Sequence, residues 1–361
     1  ATVASLEQCT RDLFKNNNPG AASERLGEFA PPDRQGFLRL HDLMEVTMDP
    51  YAQFFCATAL IKLLDKHWNS LTNEDRLDLR GFVVEYLWKN GPNLEAFVLS
   101  EVIQLLCVLT KNGWHDHEVF QNLPGDMRRF LEENVDLMVI GLIVLQRCIA
   151  EMNTVSTRRT LTQHRKVAIA FRDNALLPIF HNSLDTLRSC VQGTLQLTPE
   201  QDDNVREQAL GLAFQCLSFD FVGIFPDESS EDIATVQMPM NWKPIIQDLK
   251  NLNLFFELYH TSANEHRARQ SLQCIVQLAS VRRSLFQNEA ERKVFLAEIM
   301  KQTIDVMDSS GIEDEGVFHE LSRLLARIKA NFQLTEIVGV DEYERWVEYA
   351  ARITVESLTS W

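Results

Sequence analysis

The chain has 361 residues, and 51 Asp and Glu against 35 Lys and Arg give it a formal net charge of −16 at pH 7. This charge argues against a nucleic-acid-binding protein, whose affinity comes mainly from Lys and Arg that neutralise phosphates, and against docking on an anionic membrane. It favours a protein partner with a basic surface.

The first strong helical signal lies in residues 51–68. Its apolar residues recur at steps of three and one, which trace one face of an α-helix. These residues are Ala52, Phe55, Cys56, Ala59, Leu60, Leu63 and Leu64. The pair Asp49-Pro50 precedes them, and proline is well tolerated in the first turn of a helix, so we expect the helix to begin here.

Further helices follow along the chain. Thr72 with Asp75 three residues later resembles a capping box, which predicts a helix start. The longest unbroken apolar run, residues 137–145, has nine residues against the roughly 20 that span a membrane, so we interpret it as a buried core helix. Thr198 before Pro199 predicts the start of another helix.

Pro, Gly and Asn divide the pattern into paired helices, and no run of strict alternation predicts a strand. We expect the first helices of the pairs to begin near Val3, Asp33, Thr72, Asp126, Asp173, Lys243, Asn288 and Asp341. The spacing centres near the roughly 40 to 47 residues of HEAT-type repeats, whose stacked neighbours share a core. The predicted fold is therefore an all-α HEAT-type helical-repeat solenoid (α-α superhelix) of about eight helix pairs, with no significant sheet.

Two stretches interrupt this rhythm. Residues 153–172 are polar and basic, and a solvated linker is the favoured interpretation. Residues 220–242 form a long loop that carries a run of carboxylates, namely Asp227, Glu228, Glu231 and Asp232. Long loops in compact arrays are usually functional or disordered. Both a solvated loop and a partner contact remain open for the acidic run.

The sequence contains little that points to catalysis or metal binding. The seven cysteines lie at least 26 positions apart, which excludes a CxxC motif and favours buried thiols in a reducing compartment. His115 and His117 lie in what looks like an inter-helix loop, and we expect no metal there. The common nucleotide-binding, metalloprotease and hydrolase motifs are absent, so we expect neither an enzyme nor a cofactor.

The helix at residues 51–68 carries a second apolar row beside its main stripe. This row consists of Phe54, Ala57, Thr58 and Ile61, with Lys62 next to it. A helix that is apolar on two sides is either packed on both or offers one side to a partner. Both interpretations remain open from the residues alone.

Residues 51–87 resemble the N-terminal domain of the importin-β superfamily of nuclear transport receptors. The matching features are an Ala-rich helix with Lys62 near its end, Trp68 after it, and a following Arg-x-x-Leu-Arg pattern at residues 76–80. More specific resemblances lie in residues 161–180, 216–242, 278–288 and 318–334, which are similar to exportin-7 segments. The chain is identified as a member of the exportin-7 (Ran-binding protein 17) family.

This resemblance implies a nuclear export receptor that binds Ran-GTP and protein cargo and carries the cargo through nuclear pores. The implied partners also include Phe-Gly nucleoporins, and the implied location is shuttling between nucleus and cytoplasm. No cofactor of its own is implied, because GTP is carried by Ran. A helical-repeat interaction scaffold without GTPase dependence remains the alternative.

The resemblance also implies a division of the chain. Residues 1–115 would form importin-β-type repeats that bind Ran, and residues 116–361 would continue the HEAT-type repeats. The implied Ran contacts are Phe54, Ala57, Thr58, Ile61 and Lys62 on one helix, with Glu101 and Gln104 on the next. Glu101 and Gln104 are the polar positions beside an apolar stripe of Leu94, Phe97, Val98 and Leu105. Asp227, Glu228, Glu231 and Asp232 form a second candidate contact.

Overall fold

The fold is helical throughout the residues that the computed structural model describes, which are 2–15, 19–155, 160–221, 236–262, 264–308 and 314–360. Within these ranges no β-strand is present, and Val236 and Val281 form one isolated parallel bridge. The predicted all-α fold of paired HEAT-type helices is confirmed.

The first compact unit, Ala1–Pro178, consists of helix pairs whose second helices pack against one another. Its helices are α1 (Val3–Phe14), α2 (Pro19–Gly27), α3 (Arg34–Val46), α4 (Pro50–His67), α5 (Asn73–Asn90), α6 (Ala96–Gly113), α7 (Leu123–Glu133), α8 (Val135–Asn153) and α9 (Leu161–Phe171). Helix α3 packs on α4, α5 on α6, and α7 on α8. Helices α4, α6 and α8 pack in that order and so form a common layer.

The predicted helix starts in this unit have clear local causes. The Asp49 carboxylate accepts hydrogen bonds from the amides of Tyr51 and Ala52, each at 3.1 Å, and Pro50 occupies the first turn of α4. Thr72 and Asp75 form the predicted capping box at α5. These caps satisfy amides that have no partner within the helix.

Helix α6 is a core helix. By length and apolar composition it is the one helix of the described chain that could cross a membrane. Most of its positions are nevertheless buried, because α4, α5 and α8 pack around it. The apolar run at residues 137–145 lies in α8 and is almost entirely buried, as predicted.

Helix α3 approaches the preceding turn closely at Gly36. A Cβ atom at this position would lie 2.0 Å from the carbonyl oxygen of Pro31. Only glycine therefore fits here, and the close approach fixes how α3 leaves the turn.

The second compact unit is Ile179–Trp361, and it begins within α10. Its helices are α10 (Leu177–Val191), α11 (Pro199–Leu217), α12 (Lys243–Gln247), α13 (Leu249–His260), α14 (Glu265–Ala279), α15 (Glu289–Asp308), α16 (Glu315–Asn331), α17 (Leu334–Val338) and α18 (Tyr343–Ser360). Helices α11, α14 and α16 pack in that order, α13 pairs with α14, and α18 lies on α15. Thr198 caps α11 with Gln201, which confirms the start predicted there.

One predicted helix start is wrong. Asp173 lies inside a π-helical turn at residues 172–176, through which α9 continues directly into α10. The apolar side chains of Phe171, Ala175 and Leu176 stay buried through this turn, so packing maintains the helix where the sequence suggests a break. The other starts agree with the structure to within three residues.

Along the chain, the boundary between the two compact units falls between residues 178 and 179. The division between residues 115 and 116 concerns the Ran-binding region that the resemblance implies, and not these units. Helix α6 ends before residue 115 and α8 begins after it, and the two helices pack directly against each other within the first unit. The predicted extent of the Ran-binding region remains a prediction.

Candidate protein-interaction surface

The most conspicuous surface feature of the first unit is a group of four aromatic side chains from three helices. This aromatic patch consists of Phe14 of α1, Tyr51 and Phe54 of α4, and Phe97 of α6. Neighbouring ring centroids lie 4.6 Å apart for Phe14 and Tyr51, 5.9 Å for Tyr51 and Phe97, and 5.6 Å for Phe54 and Phe97. The rings therefore form one continuous contact within the range of aromatic pairs.

The aromatic patch is accessible. Phe14 is 47% exposed, Tyr51 40% and Phe97 41%, while Phe54 is half-buried among them. Single exposed apolar residues are ordinary, but a contiguous group of aromatic rings is typical of a protein-interaction site.

The structure places the predicted contact residues of α4 in three different environments. Lys62 is exposed, and Phe54, Thr58 and Ile61 are half-buried. Ala57 is fully buried, so the expectation that its side chain faces a partner is corrected. The second apolar row of α4 is thus partly packed against the next helix and partly open.

Glu101 and Gln104 of α6 are half-buried and take part in contacts between neighbouring helices. The Thr58 hydroxyl donates to Glu101 Oε1 at 3.2 Å, which joins two predicted contact residues directly. The Gln104 side-chain amide donates to Glu151 Oε2 of α8 at 2.9 Å. These two hydrogen bonds link α4 to α6 and α6 to α8, and we call the residues that form them the polar ladder.

Lys111 holds Glu151, the last residue of the polar ladder, in place. Its ammonium group is buried and donates to Glu151 Oε1 at 3.1 Å and to the carbonyl of Thr154 at 2.7 Å. A buried lysine is stable only when its charge is paired and its donors are satisfied, as they are here. The side chain of Glu151 is consequently fixed by Lys111 and by Gln104.

Sequence reasoning missed Phe14, Tyr51, Phe97 and Glu151. Phe97 was expected in the apolar stripe of α6, and although Val98 and Leu105 are buried, Phe97 faces outward. The available signal was the spacing of Tyr51 and Phe54, which continues the second apolar row of α4 by one step. No sequence signal brings Phe14 to this row, because that contact depends on the packing of α1 against α4.

The acidic run of Asp227, Glu228, Glu231 and Asp232 lies outside the described residues. The described chain on either side of it is well anchored. Phe221 contacts Trp242 with ring centroids 5.5 Å apart, and Trp242 stacks on Phe180 at 5.2 Å. The amide of Val236 donates to the Ser280 carbonyl at 2.9 Å.

The His, Cys, Asp and Glu side chains form no metal-binding group within the described ranges. His117 Nδ1 accepts a hydrogen bond from the Val119 amide at 3.2 Å, and no group of three potential metal ligands occurs there. All seven cysteines are free and buried, as predicted. Burial raises the pKa of Cys56 to about 12 and that of Cys190 to about 11, which disfavours the nucleophilic thiolate.

The comparison with protein families agrees with this arrangement. Residues 30–89 match the family model of the importin-beta N-terminal domain. The matched region contains α3 and α4, including the half-buried and exposed contact residues of α4. Paired helices and this match show a helical-repeat chain in which residues 30–89 are similar to an importin-beta N-terminal domain.

Similarity to individual proteins extends over the whole chain. The chain is 38% identical to Exportin-7-B of Xenopus laevis over 369 aligned residues, which cover 100% of the chain. It is 37% identical to Ran-binding protein 17 of Homo sapiens over 88% of the chain, and 33% identical to Exportin-7 of Dictyostelium discoideum over 77%. The chain is therefore a homologue of exportin-7 and Ran-binding protein 17, as its motifs predicted. It spans about a third of the length of these relatives, 34% for Exportin-7-B and 29% for Ran-binding protein 17.

Proposed function

We propose that the chain acts in nuclear export, as a receptor that binds Ran in its GTP state together with protein cargo. The observation that carries this proposal is the 38% identity with Exportin-7-B over the full chain. The name of Ran-binding protein 17 states that this second relative binds Ran. Contact with Phe-Gly nucleoporins and shuttling between nucleus and cytoplasm are part of the same proposal.

The proposed Ran surface comprises the open residues of α4 and the ladder residues of α6. Its members are Phe54, Thr58, Ile61, Lys62, Glu101 and Gln104, and Ala57 is left out because it is buried. The neighbouring aromatic patch provides apolar area beside polar groups, which is the usual composition of a protein interface. The acidic run at residues 227–232 remains a second candidate contact.

The proposed mechanism is a coupling between two binding events. If Ran-GTP and cargo each strengthen binding of the other, the coupling free energy is reciprocal and typically about 1–3 kcal/mol. Hydrolysis of GTP on Ran removes Ran-GTP, which is one of the two ligands, and so lowers the affinity for the cargo. The chain itself needs neither a nucleotide nor a catalytic residue for this cycle.

Calorimetry of the chain with Ran tests the proposal. Ran loaded with a non-hydrolysable GTP analogue is expected to bind clearly more tightly than Ran loaded with GDP. Equal absence of binding in both nucleotide states would favour a helical-repeat scaffold that works without a GTPase.

A double variant tests the α4 surface. Lys62→Glu with Ile61→Asp is expected to weaken Ran-GTP binding by about tenfold or more, because it places a carboxylate in an apolar contact and removes the long side chain of Lys62. The matched control is Lys293→Glu with Val294→Asp, at two exposed neighbours on α15 in the second unit. Equal affinities of the two double variants would remove α4 from the interface.

A further inference from the structure

The turn between α14 and α15 carries a feature that the proposed function does not use. Residues 281–286 read Val-Arg-Arg-Ser-Leu-Phe, so that two arginines directly precede a serine. We propose that Ser284 is a phosphorylation site for a serine kinase that selects basic sequences, with ATP as the phosphoryl donor. This proposal is independent of Ran binding.

Ser284 is accessible in the folded chain. It is exposed and lies in a single 3₁₀ turn, Arg283–Leu285, outside the α-helices. Two backbone hydrogen bonds close this turn, from Leu285 to Arg282 and from Phe286 to Arg283, each at 3.1 Å. Arg282 and Phe286 on either side are already extended. The turn itself is closed by only these two hydrogen bonds, but Leu285 and Phe286 are buried, so a kinase that binds its substrate as an extended peptide also has to draw these two side chains out of the core.

The two arginines provide groups that can bind a phosphate. Arg282 Nε is buried and has no hydrogen-bond partner among the described residues, and its terminal nitrogen reaches Gln237 Oε1 only at 3.5 Å. Arg283 pairs with Glu289, but these side chains are 51% and 82% exposed, so water screens their attraction. A phosphate on Ser284 would bring about two negative charges and three acceptor oxygens to these guanidinium groups.

The reaction is an ordinary phosphoryl transfer. The Ser284 hydroxyl oxygen forms a bond to the γ-phosphorus of ATP while the bond between that phosphorus and the bridging oxygen breaks. ADP leaves, and the hydroxyl proton passes to a base of the kinase.

Phosphorylation would also change a contact next to the turn. The segment that begins at Val236 is held to residues 280–282 by the Val236–Ser280 hydrogen bond and by the long Arg282–Gln237 contact. A phosphate that draws Arg282 towards Ser284 removes the second of these contacts. We expect amide hydrogen exchange in residues 236–242 to become several-fold faster after phosphorylation.

The experiment incubates the intact chain with ATP and the catalytic subunit of protein kinase A, and maps the product by mass spectrometry. Phosphate is expected on Ser284, and the rate is expected to fall at least tenfold when Arg282 and Arg283 are both changed to Gln. Ser284→Ala is expected to abolish this label. The matched control Ser322→Ala, at an exposed serine of α16, is expected to leave it unchanged.

A synthetic peptide of residues 278–288 completes the design. Labelling of the peptide without labelling of the intact chain would show that the fold hides Ser284, and the proposal would be wrong. Absence of label on both would show that the two arginines do not direct such a kinase here, which would also overturn it. Circular dichroism of each variant confirms that the helices are retained.

Discussion

At the scale of single residues, the exposure of the aromatic patch follows from where each ring projects from its helix. Phe97 sits one residue before the buried Val98 in the first turn of α6, and Tyr51 occupies the first turn of α4. Both rings are exposed and contact each other. Their exposed apolar area is therefore available to another molecule.

Removing one ring tests whether this area matters for binding. Phe97→Ala is expected to weaken Ran-GTP binding by about tenfold or more, because aromatic side chains at interface centres carry a large part of the binding energy. Calorimetry measures the loss. The control is Phe82→Ala, a half-buried aromatic of α5 that lies outside the patch. The aromatic patch would be excluded from the interface if Phe97→Ala bound as tightly as the unmodified chain.

Residue-scale prediction from the sequence succeeded where a periodic pattern decides burial. The stripe from Ala52 to Leu64 is buried at most of its predicted positions because a helix of 3.6 residues per turn leaves little choice of face. Ala57 and Phe97 were misplaced because they lie at the edge of a stripe. At an edge, burial depends on the neighbouring helix, and one sequence window does not contain that neighbour.

At the scale of elements, the start of α3 is fixed by a contact that excludes every side chain. Gly36→Ala is expected to destabilise the protein by about 1–3 kcal/mol, because the new methyl group meets the backbone of Pro31, which cannot move aside as a flexible side chain could. Helix propensity alone would favour alanine by about 1 kcal/mol.

Gly81, in the middle of α5, provides the matched comparison. A Cβ atom there meets no atom within 4 Å, so Gly81→Ala is expected to stabilise the protein by about 0.5–1 kcal/mol. Urea unfolding of both variants measures the two effects. Effects of the same sign would contradict the close approach described for α3.

The N-terminus of α5 links stability to pH. Arg34 donates two hydrogen bonds of 2.7 Å to the Asp75 carboxylate and, together with Thr72, holds the pKa of Asp75 well below its ordinary value. A carboxylate with a lowered pKa in the folded state stabilises the fold above its unfolded-state pKa, near about pH 4. This contribution is lost as the pH falls further towards the folded-state pKa.

Asp75→Asn is therefore expected to be less stable than the unmodified chain at pH 7, with a difference that shrinks below about pH 4. Urea unfolding between pH 7 and pH 3 measures this difference. Asp78→Asn, at an exposed carboxylate of the same helix, is the control and is expected to show a small and nearly constant difference. A constant difference for Asp75→Asn would show that Arg34 does not act through the charge.

Element boundaries were predictable where a side chain caps a helix. Asp49, Thr72 and Thr198 each accept a backbone hydrogen bond at the predicted place. The π-helical turn at residues 172–176 was not predictable in the same way. Its sequence contains Asp173 and Asn174, which favour turns, yet buried neighbours keep the chain helical.

At the scale of the whole molecule, the charge of −16 affects association more than folding. If Ran presents basic surface to the chain, the association rate is expected to fall by about tenfold or more between roughly 50 and 500 mM salt, with a smaller change in dissociation. Stopped-flow measurement separates the two rates. A rate independent of salt would contradict this electrostatic steering.

A variant without the four negative charges of the acidic run measures how much this run contributes to the salt dependence of the association rate. Changing Asp227 and Asp232 to Asn, and Glu228 and Glu231 to Gln, is expected to reduce the salt dependence of association. An unchanged salt dependence would assign the steering to the rest of the surface.

The repeat architecture was predictable from the whole sequence because each helix pair repeats the same apolar pattern. The boundary between the compact units was not, since it depends on which helices share a core. Helices α6 and α8, for example, pack together and so belong to the first unit.

The seven buried thiols can be used to detect where the chain opens locally. An alkylating reagent can reach a cysteine only after the surrounding helices separate, so the rate of labelling at each position reports a local opening event. Cys9 reports on α1, Cys107 on the core helix α6, and Cys274 on α14. Mass spectrometry of the alkylated chain, with and without a bound partner, would show which helices open less often when the partner is bound. The native cysteines suffice, so no residue needs to be substituted for this experiment.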